Sequence, residues 1–314
     1  MSTKLVSTSK NPETPTSPVD RLSALLERFR VRASLFHNGP LCGMSAFEAK
    51  PGRAFLHVLR RGSMEVRHQS GQVPQARFRL EEPTLLLYPR PVWHAFVNPP
   101  KEGSDFTCAA LDFDGGEHNP FVRALPPLVR VPLAEVGGLR PTLDLLFSET
   151  DRRRCGSRLL TDRLLEVVLI QLLRWIIDHP QRAGVTRGLI TGLSDPRLAR
   201  SLVALHHAPD DDWPLARMAR VAGMSRSAFA QAFKLATGTS PAAYLTDWRL
   251  TLAASMVRSG RPMKTIATEL GFASASSLSR AFRQRLGASP REWARAVAPR
   301  QESHPQAQAT GEPG

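Results

Sequence analysis

Cysteine is scarce in this chain: Cys42, Cys108 and Cys155 are the three present in 314 residues, odd in number and widely spaced, with no C-x-x-C pair. That usage argues against a disulfide framework and fits a reducing compartment. Long apolar runs are missing too. No stretch of about 18 uncharged apolar residues occurs, so no membrane-spanning helix is expected. The opening segment, 1–18, is rich in Ser, Thr and Pro and lacks the apolar stretch of a secretory signal. No Ser/His/Asp or Cys/His constellation offers a catalytic nucleophile, so neither a catalytic residue nor a cofactor is expected. The composition therefore points to a soluble, cytoplasmic protein, with disordered segments at 1–19 and 299–314.

Acidic residues are also in short supply, 28 against 42 basic ones, which leaves a net charge of +14. Residues 195–298 hold 15 Lys/Arg against 7 Asp/Glu, so +8 of that excess sits in one window, although three of its acids cluster at Asp210, Asp211 and Asp212. A basic footprint this concentrated suits phosphate contact and counterion release.

The same window contains one pattern twice. Gly223-Met-Ser225-Arg-Ser-Ala-Phe229-Ala-Gln-Ala-Phe233, followed by Gly238 and Pro241, returns as Gly271-Phe-Ala-Ser274-Ala-Ser-Ser-Leu278-Ser-Arg280-Ala-Phe282, followed by Gly287 and Pro290. The offset is 49 from Phe233/Phe282 onward and 48 at Ala219/Ala267 and Gly223/Gly271, so the second copy has one extra residue in its turn. Each copy reads as a short helix ending at a glycine, a serine N-cap, and a second helix. Its apolar residues fall on one stripe: Phe229, Ala232 and Phe233, or Leu278, Ala281 and Phe282. The opposite faces carry Arg226, Ser227, Gln231 and Lys234 in one copy. In the other they carry Ser276, Ser277, Arg280, Arg283 and Gln284. These residue types reach base edges and phosphates from a major-groove helix. The expectation is two helix-turn-helix motifs, at about 215–236 and 263–286.

Residues 195–298 resemble the DNA-binding domain of AraC/XylS-type transcription regulators. The second copy carries most of the likeness, from Ile266-Ala through Gly271-Phe272, Ser274, Leu278-Ser-Arg280-Ala-Phe282-Arg and Gly287 to Ser289-Pro290 and Trp293; Leu278 stands where the family usually has phenylalanine. Tyr244-Leu-Thr-Asp-Trp248-Arg249 matches the family's linker helix. The resemblance implies double-stranded DNA as partner, with the recognition helices entering successive major grooves about 34 Å apart. By family position, Ser227, Ala230 and Gln231 face bases from the first helix, and Ser276, Ser277 and Arg280 from the second. Ser225, Arg226, Lys234, Ser274, Arg283 and Gln284 are assigned to phosphates or N-caps. RNA polymerase is a further possible partner.

The first half reads as β-rich. Short apolar runs at Ala54–Leu59, Met64–Arg67, Thr84–Tyr88, His94–Val97 and Phe106–Leu111 are separated by Gly, Pro and Asn turns, and an amphipathic helix, Asp20–Arg28, precedes them. Pro89-Arg-Pro-Val-Trp93-His94-Ala-Phe-Val-Asn98 resembles the second cupin motif, and Gly52 through His57 to Glu65 a worn first one. The likeness implies a β-barrel or sandwich that senses an effector, with His57, Glu65, Trp93 and His94 lining its pocket. In cupins an H-x-H pair, a glutamate and a later histidine hold a cation; here Leu59 replaces the second histidine, and Glu65 is one residue late, which on a strand turns it to the other face. No metal is therefore expected, with His57, Glu65 and His94 as the candidates if there were one. The favoured reading is that the histidines hydrogen-bond a ligand or each other.

Between the two halves, Pro141–His179 reads as helical and apolar on more than half its circumference, which suits burial against the barrel or a homodimer partner. The expected fold class is thus α+β and multidomain. A cupin-like sensor at 20–135 is followed by a helical connector at 136–182, a linker at 183–194, and an all-α DNA-binding domain at 195–298 whose two motifs are joined by a linker helix. The function this implies is sequence-specific transcription regulation under a small-molecule signal. Alternatives are a redox signal through Cys42, Cys108 or Cys155, the last of which follows Arg152-Arg-Arg154, and a cupin metalloenzyme fused to a DNA-binding module.

Overall fold

A computed structural model describes residues 19–41, 43–98, 104–152 and 154–296. Cys42 and the segments 1–18 and 297–314 lie outside the described residues. The chain begins with helix α1 (Ser23–Arg28), shorter than expected because the carboxylate of Asp20 accepts from the N–H groups of Leu22 and Ser23 and holds the chain in a turn there. Among the described residues nine strands follow, in two sheets. The first sheet has the order β1 (Val31–Leu41), β8 (Ser104–Phe113), β3 (Ala54–Arg61), β6 (Thr84–Tyr88), β9 (Val129–Pro132). The second has the order β2 (Gly43–Phe47), β7 (His94–Asn98), β4 (Met64–His68), β5 (Arg77–Leu80). Neighbouring strands are antiparallel throughout.

The sheets differ in what covers them, and the sequence pattern follows. Strand β3 is buried on both faces from Ala54 to Leu59, so its apolar run is continuous. Phe55 and Leu59 point between the sheets; Leu56 and Val58 belong to a second core that runs out under the helices. Strand β4 has a wet face, and it alternates: Met64 and Val66 are buried while Arg67 is exposed.

Helices α3 (Leu139–Asp151) and α4 (Ser157–Asp178) pack on the outside of the first sheet. Helix α4 buries Leu164, Leu165, Val168, Leu169, Leu172 and Leu173, while Leu159, Leu160 and Val167 remain exposed. No helix among the described residues is long and apolar enough to cross a membrane. The stretch expected as a linker is instead largely packed: it contains helix α5 (Leu189–Ser194), and Ala183, Val185, Leu189, Ile190 and Leu193 are buried in the core shared with both halves. Its apolar spacing, interrupted by Gly188 and Gly192, is too short to register as helical periodicity.

The rest is all-α. Helix α6 (Pro196–His207), capped by Asp195, leads to α7 (Leu215–Ala222) and α8 (Arg226–Thr237), the first helix-turn-helix. Helix α9 (Pro241–Arg258) then spans to α10 (Met263–Glu269), α11 (Ala275–Leu286) and α12 (Pro290–Ala296), which form the second. Both halves share one apolar core, and Phe29 from the β half meets Trp248 of α9 edge-on at 5.6 Å.

Candidate nucleic-acid interface and barrel core

Each head is built from its turn outward. Gly223 and Gly271 have φ of +67° and +68°, a conformation that disfavours any side chain. Ser225 accepts from Ala228 N–H, opening α8. Ser274 and Ser277 cap each other reciprocally: Ser274 Oγ accepts from Ser277 N–H and Ser277 Oγ from Ser274 N–H. Phe229, Phe233, Leu278 and Phe282 are fully buried, so the remaining faces of α8 and α11 turn outward. Ser227, Gln231, Arg226 and Lys234 are exposed on α8, with Ala230 half-buried beside them; Ser276, Arg280, Arg283 and Gln284 are exposed on α11. Ser277 is half-buried, and its hydroxyl is engaged in the cap.

One residue that pattern reasoning did not single out holds the heads together. Arg249, on α9, donates from Nε to Pro209 O (2.6 Å), from Nη2 to Asp211 O (3.0 Å) and from Nη1 to Gly271 O (3.2 Å). The first two acceptors lie in the loop that leads into the first head, and the third is the turn of the second. A single guanidinium, with five donors in a fixed fork, therefore ties both heads to the helix between them. Partial burial lowers its pKa, and Asp210 and Asp212 oppose that shift. The acidic cluster 210–212, which looked out of place in a basic region, thus flanks the Arg249 clamp.

In the barrel, the structure brings His57 and His94 together and leaves Glu65 and Trp93 apart from them. The two Nε2 atoms are 2.9 Å apart. His94 Nδ1 lies 2.9 Å from Val92 O, so it carries the proton; its Nε2 must then accept from His57, which leaves His57 Nδ1 bare and without a partner. Burial pushes His94 down to about 3, and burial followed by the neighbouring His94 and His37 pushes His57 well below its usual value. Both rings are neutral at physiological pH. His94 is stacked on Tyr88 at 3.9 Å, and Phe47, Phe55 and Phe96 close the cage around His57. Tyr88 OH meets His68 Nε2 at 2.9 Å, a third histidine that lies just beyond the apolar run read as a strand and so went unremarked.

Glu65 sits on the outer face, bonded to Arg67 and Arg77, because Met64 and Val66 on either side of it face inward. Trp93 is half-buried ahead of β7, its backbone N–H donating to Gln72 Oε1 at 3.1 Å. A cupin cation does not fit this arrangement. Two imidazole nitrogens sharing a tetrahedral ion stand about 3.3 Å apart, farther than this hydrogen-bonded pair, and the carboxylate is on the wrong face. Among the described residues no three His, Cys, Asp or Glu side chains group so as to hold a metal ion. Cys108 is fully buried, and burial pushes its thiol far above the usual range, which makes it a poor redox sensor; Cys155 is exposed.

A two-sheet barrel joined through a shared core to paired helix-turn-helix heads defines a two-part protein, a cupin-like domain followed by a helix-turn-helix domain, and the family models that match the chain agree. A cupin family model matches residues 20–178, taking in α3 and α4, and a helix-turn-helix domain model matches residues 218–296. A putative AraC-like transcription regulator of Streptomyces antibioticus is 36% identical over 173 residues, 54% of this chain and 56% of that protein. The RCS-specific HTH-type transcriptional activator RclR of Escherichia coli (strain K12) is 28% identical over 243 residues, 76% and 82% of the two chains. Among solved structures, the DNA-binding domain of AdpA in complex with a target DNA is 30% identical, covering 33% of this chain and 93% of that one, with a TM-score of 0.31. The chain spans a little over half the length of the Streptomyces relative. It belongs to the AraC/XylS family of transcriptional regulators, with an N-terminal cupin domain and a C-terminal helix-turn-helix domain.

Proposed function

We propose that the protein is a sequence-specific transcription regulator that reads double-stranded DNA with both heads. Ser227, Ala230 and Gln231 face bases from α8, and Ser276, Ser277 and Arg280 from α11. Arg226, Lys234, Arg283 and Gln284 meet phosphates, while Ser225 and Ser274 serve as N-caps. The observation that carries this reading is the pairing of two outward-facing helices, basic and uncovered, through the single clamp at Arg249. Heads fixed in that way engage two major-groove segments about 34 Å apart on one face of the duplex. Hydroxyl-radical footprinting of the full chain on a duplex selected from random sequence tests it. Two protected segments one helical turn apart are expected; one segment alone overturns the reading.

The cupin domain is the part that senses, and its signal is a small molecule. The packed aromatic cage argues for a ligand that enters by displacing rings around His57 and His94, with Trp93 at the edge and Glu65 contributing from outside. His57→Ala and Trp93→Ala should keep DNA binding and lose induction in a reporter assay; unchanged induction in both removes the barrel pocket. We place the boundaries of sensor, connector and DNA-binding region near 20–135, 136–182 and 195–298. The exposed Leu159, Leu160 and Val167 of α4 favour homodimerisation along this helix, and RNA polymerase is the partner expected of an activator.

A further inference from the structure

A cleft lies where the barrel half meets the end of the first head and helix α9. Its first wall is the segment after β8, which leads through a single 3-10 turn (Gly116–His118) to helix α2 (Pro120–Ala124) and contributes His118 and Arg123. Arg187 enters from the residues before α5, and α9 supplies Tyr244, Asp247 and Trp248. The hollow has a volume of about 230 Å³.

Its charge is out of balance. Arg123 and Arg187 have no acceptor or ion-pair partner among the described residues. Arg258, at the end of α9, presses on the same segment: a Cβ at Gly115 would lie 3.7 Å from its Nη2. Its Nε is buried with no hydrogen-bond partner. A lone exposed arginine without a partner is ordinary; three around one joint, one of them with a buried donor unused, are not. Asp247, the carboxylate on the lining, is already 3.1 Å from Arg285. Burial and the nearby Arg123 and Arg258 lower the pKa of His118 and so disfavour its charged form.

We propose that this cleft binds a small, multiply charged oxyanion, carrying carboxylate or phosphate groups on a compact body, gripped by Arg123 from the barrel and Arg187 from the segment before α5. The guanidinium fork matches either group. The volume falls below the range of about 300–1,000 Å³ usual for drug-sized ligands, which favours a compact anion over a long apolar acid. The position gives the site leverage. The same segment places His118 against Trp293 of α12 at 4.4 Å, so it touches the second head as well, while Thr237 at the end of α8 lines the cleft from the first. An anion seated there stabilises one arrangement of barrel and heads, and linkage requires DNA to change anion affinity by the same factor. This coupling rests on the regulator reading above; the binding itself does not.

Isothermal titration of the full chain at constant ionic strength, with citrate, inorganic pyrophosphate and acetate, tests the site. Citrate or pyrophosphate should bind and acetate should not, and whichever polyanion binds more tightly identifies the chemistry as carboxylate or phosphate. Arg123→Glu and Arg187→Glu, both at exposed positions that tolerate change, should each weaken binding at least about tenfold. Lys234→Ala and Arg280→Ala should leave it unchanged. No binding by either polyanion up to about 10 mM, wild-type affinity in both Glu variants, or loss in the Lys234 and Arg280 variants (which would put the anion on the DNA face) overturns the proposal. Fluorescence anisotropy with the selected duplex then separates the two claims: Arg123-dependent binding that leaves DNA affinity unchanged keeps the site and refutes its coupling to DNA.

Discussion

The two heads share a pattern but not a set of supports. In the first, two residues separate Gly223 from the cap Ser225 when counted inclusively of the cap; in the second, the extra residue puts Ser274 three beyond Gly271. Space around Gly223 is open. Around Gly271 it is full, because Asp210 O and Arg249 Nη2 lie 2.6 and 2.8 Å from where a Cβ would stand. The first head rests on α5, α6 and the core it shares with the barrel; the second packs on α9, is bonded to it through Arg249 and Asp247, and touches the β half at His118. A repeated recognition unit can therefore be held in place by quite different contacts, and these differences are where the two can be told apart by experiment.

Acid should separate them most. His206, in α6 beside the first head, is fully buried against Tyr244 OH at 2.8 Å and is held down at about 3, while the histidine beside the second head, His118 against Trp293, is half-buried and less strongly shifted. A histidine whose pKa is lower folded than unfolded gives stability that is complete above about 6.5 and is lost as pH falls toward its folded value. For His94 and His206 that window runs from about 6.5 down to about 3, at roughly 1.4 kcal/mol per pH unit for each group. Hydrogen exchange at pH 7 and pH 4.5 should show β3, β7 and α6 losing protection before α10 and α11. If the second head opens first, the comparison fails.

Next in size is the turn. Gly223→Ala should cost about 1–2 kcal/mol, the strain of a left-handed backbone. Gly271→Ala adds overlap with backbone and should cost about 3 kcal/mol or more. Urea unfolding of the two variants measures this, and equal losses would mean that the crowding at Gly271 relaxes freely.

The readers should differ in kind. Arg280→Ala is expected to cost about 1–3 kcal/mol at the selected site and to relax preference at one base position. Lys234→Ala should weaken all sequences alike and lower the salt slope by about one. Binding-site selection with each variant decides it; an unaltered base preference in Arg280→Ala would displace that residue from the reading face.

The smallest difference lies in the caps. Ser225→Ala removes one bond to a free helix N–H, about 1 kcal/mol. Ser274→Ala removes the shorter bond, 3.1 against 3.3 Å, while the other half of the box, residue 274 N–H to Ser277 Oγ, runs through the backbone and stays; its loss should exceed that at Ser225 by a few tenths. Thermal unfolding of both variants without DNA provides the measurement, and a larger loss at Ser225 would reverse the order.

What was legible in the sequence was what repeats or alternates. The glycine turns, serine caps and buried phenylalanines of both heads could be read directly, as could the five apolar strand runs. Strand β1 was missed because it lies at a sheet edge, carries Gly39-Pro40, and shifts register between Leu35 and His37, so its alternation breaks. Strands β2, β5 and β9 carry few consecutive apolar residues, Gly43-Met-Ser-Ala-Phe47, Arg77-Phe-Arg-Leu80 and Val129-Arg-Val-Pro132, so no apolar run marks them. Arg249 was visible as part of a family pattern, yet its role depends on three carbonyls up to 40 residues away in sequence. Long-range polar contacts of that kind leave no local signature. Glu65 is the opposite case: a one-residue offset in the motif already signalled its outward turn.

The Arg249 clamp has a consequence for the DNA. Because the packing of α9 and the Arg249 fork hold the heads at one spacing, a duplex that meets both heads as proposed has to accommodate the protein. Bending or twisting a site to fit costs about 1–6 kcal/mol, depending on how stiff its base steps are. Base pairs that no side chain touches therefore enter the recognition through their mechanics, and a flexible pyrimidine–purine step midway between the heads becomes part of the message.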